Sequence, residues 1–288
     1  EMRENIFVKT HGLGNEYIVL DSDSINFQLT EKAIKRICNV NFGIGSDGIL
    51  LKVPSDKADF GLRIYNPDGS EAEKSGNGLR IYCKYIYDYN FTENRQFTVE
   101  TKGGLVNADI VEVTEAGKAK LITVDMGQAI FNAKEIPTRF DSEEAIGKKL
   151  MANGKEFEVN CVSMGNPHAV VFVEDTASLP LEKIGPGFEH HEAFPKRVNT
   201  EFIQVLNRSE INMRVWERGA GETLACGTGT CAAVVACVLN GKTDENVTVH
   251  LLGGDLYIVY DREAETVFMT GPATVVFDGE IDITDIDV

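Results

Sequence analysis

The sequence predicts an α/β (α+β) fold of two pseudo-symmetric halves, each a curved, mostly antiparallel sheet around one central helix. Three observations carry that prediction. A phrase is written twice, GSEAEKSGNGLR at 69–80 and GAGETLACGTGTCA at 219–232, placing Ser75 and Cys226 151 residues apart in a chain of 288. Each copy reads Glu, three residues, a small nucleophile, then Gly-x-Gly, with Glu71 four before Ser75 and Glu222 four before Cys226. Short β-branched runs alternate with Gly, Asn and Asp turns from end to end. The segment GTGTCAAVVACVL at 227–239 is apolar on nearly every side, and a helix with no polar face has to be buried all round.

The elements follow in order. Strand runs in the first half are 5–9, 17–20, 48–53, 60–65, 96–100, 105–111 and 120–125. Residues 30–39 open on a Thr N-cap and close on Asn, which reads as a helix. Residues 77–89 make a second helix, more polar than its counterpart, directly after the first Gly-rich phrase. In the second half the strands are 157–162, 168–173, 201–206, 211–216, 247–251, 255–260, 266–270 and 273–277. The helix at 227–239 ends in Asn240-Gly241, a good C-cap. The expected division is 1–126 plus a returning C-terminal strand at about 272–288, carrying Ser75, and 127–271, carrying Cys226.

Composition narrows the function classes. Hydrophobic residues make up 43% and charged residues 25%, ordinary for a globular protein. The net charge of −17 and the lack of any Lys/Arg-rich run argue against nucleic acid or an anionic membrane as partner. No run of 18 apolar residues offers a membrane span, and EMRENIFVKTHG lacks the apolar core of a signal peptide. The six cysteines, at 38, 83, 161, 226, 231 and 237, show no CxxC spacing and read as free thiols in a reducing cytoplasm.

Two familiar patterns fail on context. GIGSDG at 43–48 matches GxGxxG but follows a helix and precedes a strand, the reverse of a dinucleotide loop. GKT at 241–243 would need Gly at 236, which is Ala. The histidines at 11, 168, 190, 191 and 250 have no zinc spacing, so no metal is expected.

The repeated phrases are more informative. Glycines at a helix start let a ligand approach the backbone, and the free N–H groups with the helix dipole there favour an anion. Two such starts would grip one carboxylate. A thiol at such a position is expected to titrate below the ordinary value of about 8.5, so Cys226 is a candidate nucleophile or base. Asn15 (HGLGNEY), Asn66 (YNPDGSE), Asn166 (MGNPHAV) and Asn199 (RVNTEF) each sit in or beside a turn at a strand end. With Arg218 (WERGAGET), they are the groups that would hold an amino acid's carboxylate and ammonium.

Taken together, KTHGLGNEYIVLD, IGSDG, YNPDGSEAEKSGNG, MGNPHAV, RVNTEF and ERGAGETLACGTGTCAA resemble the successive motifs of the diaminopimelate epimerases, in the family's order and over nearly the whole chain. The resemblance implies a pyridoxal-independent, metal-free enzyme without cofactor, acting on the small amino acid diaminopimelate in lysine and peptidoglycan synthesis. It implies inversion of one α-carbon, LL to meso, by two cysteines on opposite faces, and a homodimer. Carried over, Cys226 matches one catalytic cysteine and Ser75 stands where the other belongs. His168 and Glu217 match the groups that assist them. Gly76, Asn77, Gly227 and Thr228 match the carboxylate cradle. Asn15, Asn66, Asn166, Asn199, Glu217 and Arg218 match the substrate-binding set. Gly48 falls where some members have a glutamine that touches substrate.

The serine breaks the expected pairing, because an alcohol is a far weaker acid than a thiol and the chemistry needs two acids poised near working pH. Three explanations fit Ser75: an engineered Cys→Ser change, a natural variant that relays the proton through the hydroxyl or a water, or a reaction that needs one base only. The epimerase reading therefore stands beside a related racemase, isomerase or dehydratase, and beside a non-catalytic amino-acid-binding relative.

Overall fold

The computed structural model describes residues 3–288. Its contacts divide the chain into two units, one running through Val124 with Gly271–Val288 added, the other Asp125–Thr270.

The first unit begins with β1 (Ile6–Gly12) and β2 (Asn15–Asp21), then α1 (Glu31–Cys38), β3 (Ile49–Val53), β4 (Phe60–Tyr65) and the short β5 (Glu71–Ala72). The central helix α2 (Gly76–Asp88) follows, then β6 (Gln96–Thr101), β7 (Gly104–Val113) and β8 (Ala119–Asp125). The second unit holds β9 (Lys148–Ala152), β10 (Lys155–Ser163), β11 (Pro167–Phe172), α3 (Leu181–Glu189), β12 (Asn199–Asn207), β13 (Glu210–Glu217) and β14 (Gly221–Thr223). Its central helix α4 (Gly227–Leu239) precedes β15 (Asn246–Leu251), β16 (Gly254–Asp261) and β17 (Thr266–Gly271). The chain ends in β18 (Thr274–Glu280), which pairs antiparallel with β1, and a one-turn helix α5 (Ile283–Ile286).

The two units share one wiring. β2 runs parallel to β3 with Ile18 opposite Ile49, and β11 runs parallel to β12 with Ala169 opposite Thr200. Tyr65 faces Glu71 across an antiparallel pair, as Trp216 faces Glu222. In each case the second pair lies 151 positions after the first, the spacing of the repeated phrase. Among the described residues only the parallel steps β2–β3 and β4–β6, with β11–β12 and β13–β15, interrupt the antiparallel order within the units.

Each central helix is sunk in its sheet. In α4 every residue but Leu239 is buried, and in α2 every residue but Tyr87. α4 touches the neighbouring strands β10, β11 and β12 and also β16, three pairings further along from β12, so the sheet must curl round it. α2 is buried although it carries charge, because each of its charged side chains has a partner. Lys84 pairs with Asp88 at 2.7 Å and donates to the Ala119 carbonyl at 2.6 Å, while Asp88 accepts the Ala119 N–H at 2.8 Å. Arg80 Nε donates to the Pro272 carbonyl at 3.1 Å, and the Tyr82 hydroxyl to the Gly61 carbonyl at 2.6 Å. These bonds tie the helix to β4, β8 and the returning segment, and losing one partner would strand a buried charge.

Five elements were not expected, β5, β9, β14, α3 and α5, and two of them show why. α3 contains Gly185, Pro186 and Gly187, poor helix formers, yet it forms because Leu181 and Phe188 fill the core of the second unit. The glycines are packing devices: a Cβ at Gly185 would lie 2.2 Å from the Trp216 ring, and one at Gly187 2.3 Å from the Asn153 amide. β9 joins β10 through Asn153-Gly154, both at positive φ (56° and 74°), the two-residue turn that matches strand twist.

Leu79, in α2, is fully buried. Leu79→Ala is expected to lower stability by about 2–5 kcal/mol in urea unfolding. Leu105→Ala, on an exposed position of β7, should stay within about 0.5 kcal/mol of wild type.

Candidate functional site

Each central helix starts on the residue that the repeated phrase singles out. Ser75 is the N-cap of α2, with extended backbone (φ −147°, ψ 119°), and its Oγ accepts the Gly78 N–H at 3.0 Å. Cys226 is the N-cap of α4 (φ −131°, ψ 111°), and its Sγ accepts the Gly229 N–H at 3.4 Å. Both caps satisfy one of the orphan donors that open a helix. The glutamates of the phrase do something else. Glu71 pairs with Arg63 at 3.3 Å, and Glu222 grips Arg214 through both oxygens at 2.7 and 3.0 Å. They clamp the hairpins that deliver the chain to the helix starts.

In the second unit Cys226 lies in a buried polar network. Its Sγ is 3.7 Å from Thr228 Oγ1. Thr228 Oγ1 accepts from the Asn166 amide at 3.1 Å and stands 3.1 Å from His168 Nε2, which is also 2.9 Å from Asn166 Oδ1. His168 Nδ1 meets Glu201 Oε1 at 2.6 Å, with both side chains fully buried. Burial pulls the His168 imidazolium down to about 3 and pushes the Glu201 carboxyl well above its ordinary value. Glu201 Oε2 is buried without a hydrogen-bond partner, which an ionised carboxylate would not tolerate. The pair is therefore neutral: the Glu201 carboxyl donates to Nδ1, and Nε2–H donates onward. Gly229 makes the room, since a Cβ there would lie 2.6 Å from Glu201 Oε1 and 3.1 Å from Cys226 Sγ.

The Cys226 thiol departs from expectation. A helix start lowers a thiol's titration, and the Gly229 N–H and Thr228 do act that way. Burial, with the negative charge of Glu217, outweighs them and holds the thiol well above its ordinary value. Glu217 accepts from the Thr223 hydroxyl.

The first unit repeats the frame with other chemistry. Asn77 Nδ2 donates to Asn15 Oδ1 at 3.1 Å, the counterpart of the bond between Thr228 and Asn166. Asn15 also donates to Asp47 at 3.3 Å. At the position matching His168 stands Tyr17, whose hydroxyl is 3.0 Å from Ser75 Oγ. At the position matching Glu201 stands Leu50, and its Cδ2 would be 3.1 Å from a Cβ at Gly78. A side chain at Gly48 would run into the Tyr65 carbonyl (2.6 Å) and the Tyr17 ring (2.8 Å), so a glutamine at this position has no room.

Other candidates are placed less centrally. Asn66 lies in an exposed turn, its amide donating to Ser70 Oγ at 3.0 Å. Asn199 is buried and works on the backbone: it accepts the Arg218 N–H at 2.8 Å and donates to the Pro167 carbonyl at 2.9 Å. The Arg218 guanidinium donates to the Lys196 carbonyl at 3.0 Å. Sequence reasoning missed Tyr17, Glu201 and Glu189. Glu189 accepts from Trp216 Nε1 (3.0 Å), the Gly219 N–H (3.1 Å) and Arg197 (2.6 Å), and so holds the loop that carries Arg218. Glu201 had a signal, an acid inside the apolar run TEFIQV.

Two measurements check this electrostatic picture. The unfolded Glu201 carboxyl titrates near 4.5 and the folded one far above it. Between those values the folded state keeps a proton that the unfolded chain has released, so stability falls as pH rises. Glu201→Gln is expected to remove that fall, and to gain on wild type above about pH 4.5 by up to about 1.4 kcal/mol per pH unit in urea unfolding. His168 acts oppositely, costing stability as pH drops below 6.5, and does so in both proteins. Alkylation of Cys226, followed site by site by mass spectrometry, should still be accelerating beyond pH 9.0, where an ordinary thiol is levelling off.

Comparison with known proteins agrees with this architecture. The family model for diaminopimelate epimerase matches residues 7–132 and 160–276. A diaminopimelate epimerase of Acetivibrio thermocellus is 49% identical over 281 residues, spanning 97% of this chain and 99% of that protein. Diaminopimelate epimerases of Agathobacter rectalis and Methanococcus maripaludis are 50% and 48% identical, each over 96% of this chain and 99% of theirs. Among solved structures, a phenazine biosynthesis protein of the PhzF family from Bacillus anthracis superposes with a TM-score of 0.69 at 20% identity, covering 97% of this chain and 99% of that one. A hydroxyproline epimerase from Agrobacterium vitis gives 0.69 at 15%, covering 98% and 92%; these two share the fold. The mixed α/β architecture expected from sequence is thus the observed one, and the chain belongs to the diaminopimelate epimerase family.

Proposed function

We propose that this chain converts LL-2,6-diaminopimelate to the meso isomer by proton transfer at one α-carbon, without pyridoxal or metal. Family membership over nearly the whole chain supports the reading. The observation that carries it is the matched pair of helix starts, each capped by a side chain able to give or take a proton. Cys226 serves one side of the carbon. As a thiolate it removes the α-proton; as the thiol, the form burial favours, it returns one. Ser75 serves the other side, with a proton leaving one group as another reaches its opposite.

The N–H groups of Gly76, Asn77, Gly227 and Thr228 are the donors for the substrate carboxylate, where they stabilise the charge that develops next to it. His168 stays neutral and orients Thr228 and Asn166 around the thiol. Glu217 and Arg218 take the charged groups of the substrate with Asn15, Asn66, Asn166 and Asn199. A cytoplasmic setting, consistent with six free cysteines, and a homodimer belong to the same reading; sedimentation checks the second.

In D2O, LL- and meso-diaminopimelate are each expected to lose the α-proton by NMR and to invert by chiral analysis. Cys226→Ala should slow exchange by about 10²–10⁴-fold. Absence of exchange in both the wild type and Ser75→Cys would rule out diaminopimelate as substrate.

A further inference from the structure

We propose that Tyr17 holds the outer proton of a two-hydroxyl relay through Ser75, so that a phenol, rather than an alcohol, gains and loses the proton in the first unit. The inference rests on the epimerase reading and supplies the group that the serine lacks.

Ser75 Oγ has two neighbours among the described residues, the Gly78 N–H at 3.0 Å and the Tyr17 hydroxyl at 3.0 Å. A hydroxyl accepts twice and donates once. Gly78 N–H can only donate. With Tyr17 donating as well, both acceptor sites are filled and the Ser75 proton is left for a third direction, which is where a reacting carbon would stand. When Tyr17 gives up its proton, the same 3.0 Å contact reverses and Ser75 donates to the phenolate.

The place of Tyr17 supports the assignment. It stands 151 positions before His168, on strands of matching register. Each unit thus sets a proton-bearing ring beside the cap of its central helix. In the second unit the ring reaches the thiol through Thr228 and leans on Glu201; in the first it reaches the hydroxyl directly and Leu50 replaces the carboxyl. The ring is held in place. Tyr17 is buried, its carbonyl accepts from Thr10 Oγ1 at 2.7 Å, and its edge fills the space that a side chain at Gly48 would need. Ionisable groups on the elements packed against β2 have partners of their own. Lys9 pairs with Glu16, Lys52 with Asp21 and Lys84 with Asp88, while Asp47 accepts from Asn15 and the Glu16 N–H. His11 Nδ1 accepts the Gly14 N–H, and Arg80 donates to the Pro272 carbonyl.

The chemistry balances without a co-reactant. In the donating direction the Ser75 O–H bond breaks as the new C–H bond forms, using the electron pair left when Cys226 took the other proton. The Tyr17 proton moves to Ser75 Oγ, and the negative charge ends on the phenolate. Cys226 has gained one proton and Tyr17 has lost one. A free phenol titrates near 10, many orders of magnitude more acidic than an alcohol, so the charge rests on the better-suited oxygen.

Tyr17→Phe keeps the ring and removes the relay. It acts through Ser75, so it is tested as a positioning residue, by α-proton exchange and inversion of diaminopimelate across pH, in wild-type and Ser75→Cys backgrounds. The expected result is a loss of about 10²–10⁴-fold in the wild-type background and less than about tenfold with Cys at 75, where the thiol needs no phenol. The alkaline limb of the wild-type profile should vanish in Tyr17→Phe and move to lower pH with a fluorotyrosine at 17. Equal losses in both backgrounds, or an unmoved limb, would overturn the relay while an active Ser75→Cys protein keeps the epimerase reading. An inert wild type beside an active Ser75→Cys does the same. Silence in both would remove the reading and the relay together.

Discussion

Ser75 Oγ accepts the Gly78 N–H and Cys226 Sγ accepts the Gly229 N–H, and much of each unit is arranged around that one bond. A helix buried nearly end to end cannot leave its first N–H groups to water. The cap must therefore be a side chain, and it must sit still. That requirement fixes the atom the chemistry would use. The Arg–Glu clamp before each helix sets the angle of entry. The glycine three residues after each cap, Gly78 or Gly229, leaves space between the cap and the strand beneath it. The free N–H groups that remain at the helix start point the same way as the capping atom.

What lies under the cap differs, and the difference is electrostatic. The second unit hides two titratable groups where water does not reach, and the low dielectric turns both neutral. A neutral carboxyl and a neutral imidazole can orient a thiol without placing a second charge beside it. The first unit sets leucine in the carboxyl's place. It has only hydroxyls to work with, and these need no burial of charge at rest. One frame thus carries two different sets of polar groups.

Much of this was legible beforehand, where the signal was local. Strand runs bounded by Gly, Asn and Asp, and the apolar helix at 227–239, were readable because period and capping are written in neighbouring residues. α3 was not, because Gly185, Pro186 and Gly187 argue against a helix and only the Trp216 ring and the Asn153 amide explain the glycines. The two helix starts stood out through the repeated phrase. Tyr17 and Glu201 did not, because the repeat keeps their places but changes the residue types: Tyr for His, Leu for Glu. The direction of the Cys226 shift was misjudged for a related reason. Proximity to a helix start can be read from sequence, and depth of burial against Glu217 cannot.

The tight fit of the Tyr17 ring against Gly48 has an evolutionary consequence. A Cβ at 48 would meet both the Tyr65 main-chain carbonyl (2.6 Å) and the Tyr17 ring (2.8 Å), so room for a side chain there takes a shift of backbone as well as of the ring. A lineage could exchange one arrangement for the other only by changing both, and the order would matter. Enlarging residue 48 first displaces the ring from the serine. Shrinking residue 17 first leaves a gap and a serine without its neighbour. If the relay operates, either intermediate loses the ring's contact with Ser75, and a thiol at 75 would make that loss immaterial. The identity of residue 75 thus decides which neighbouring changes are neutral, a case of epistasis imposed by one ring and one missing methyl.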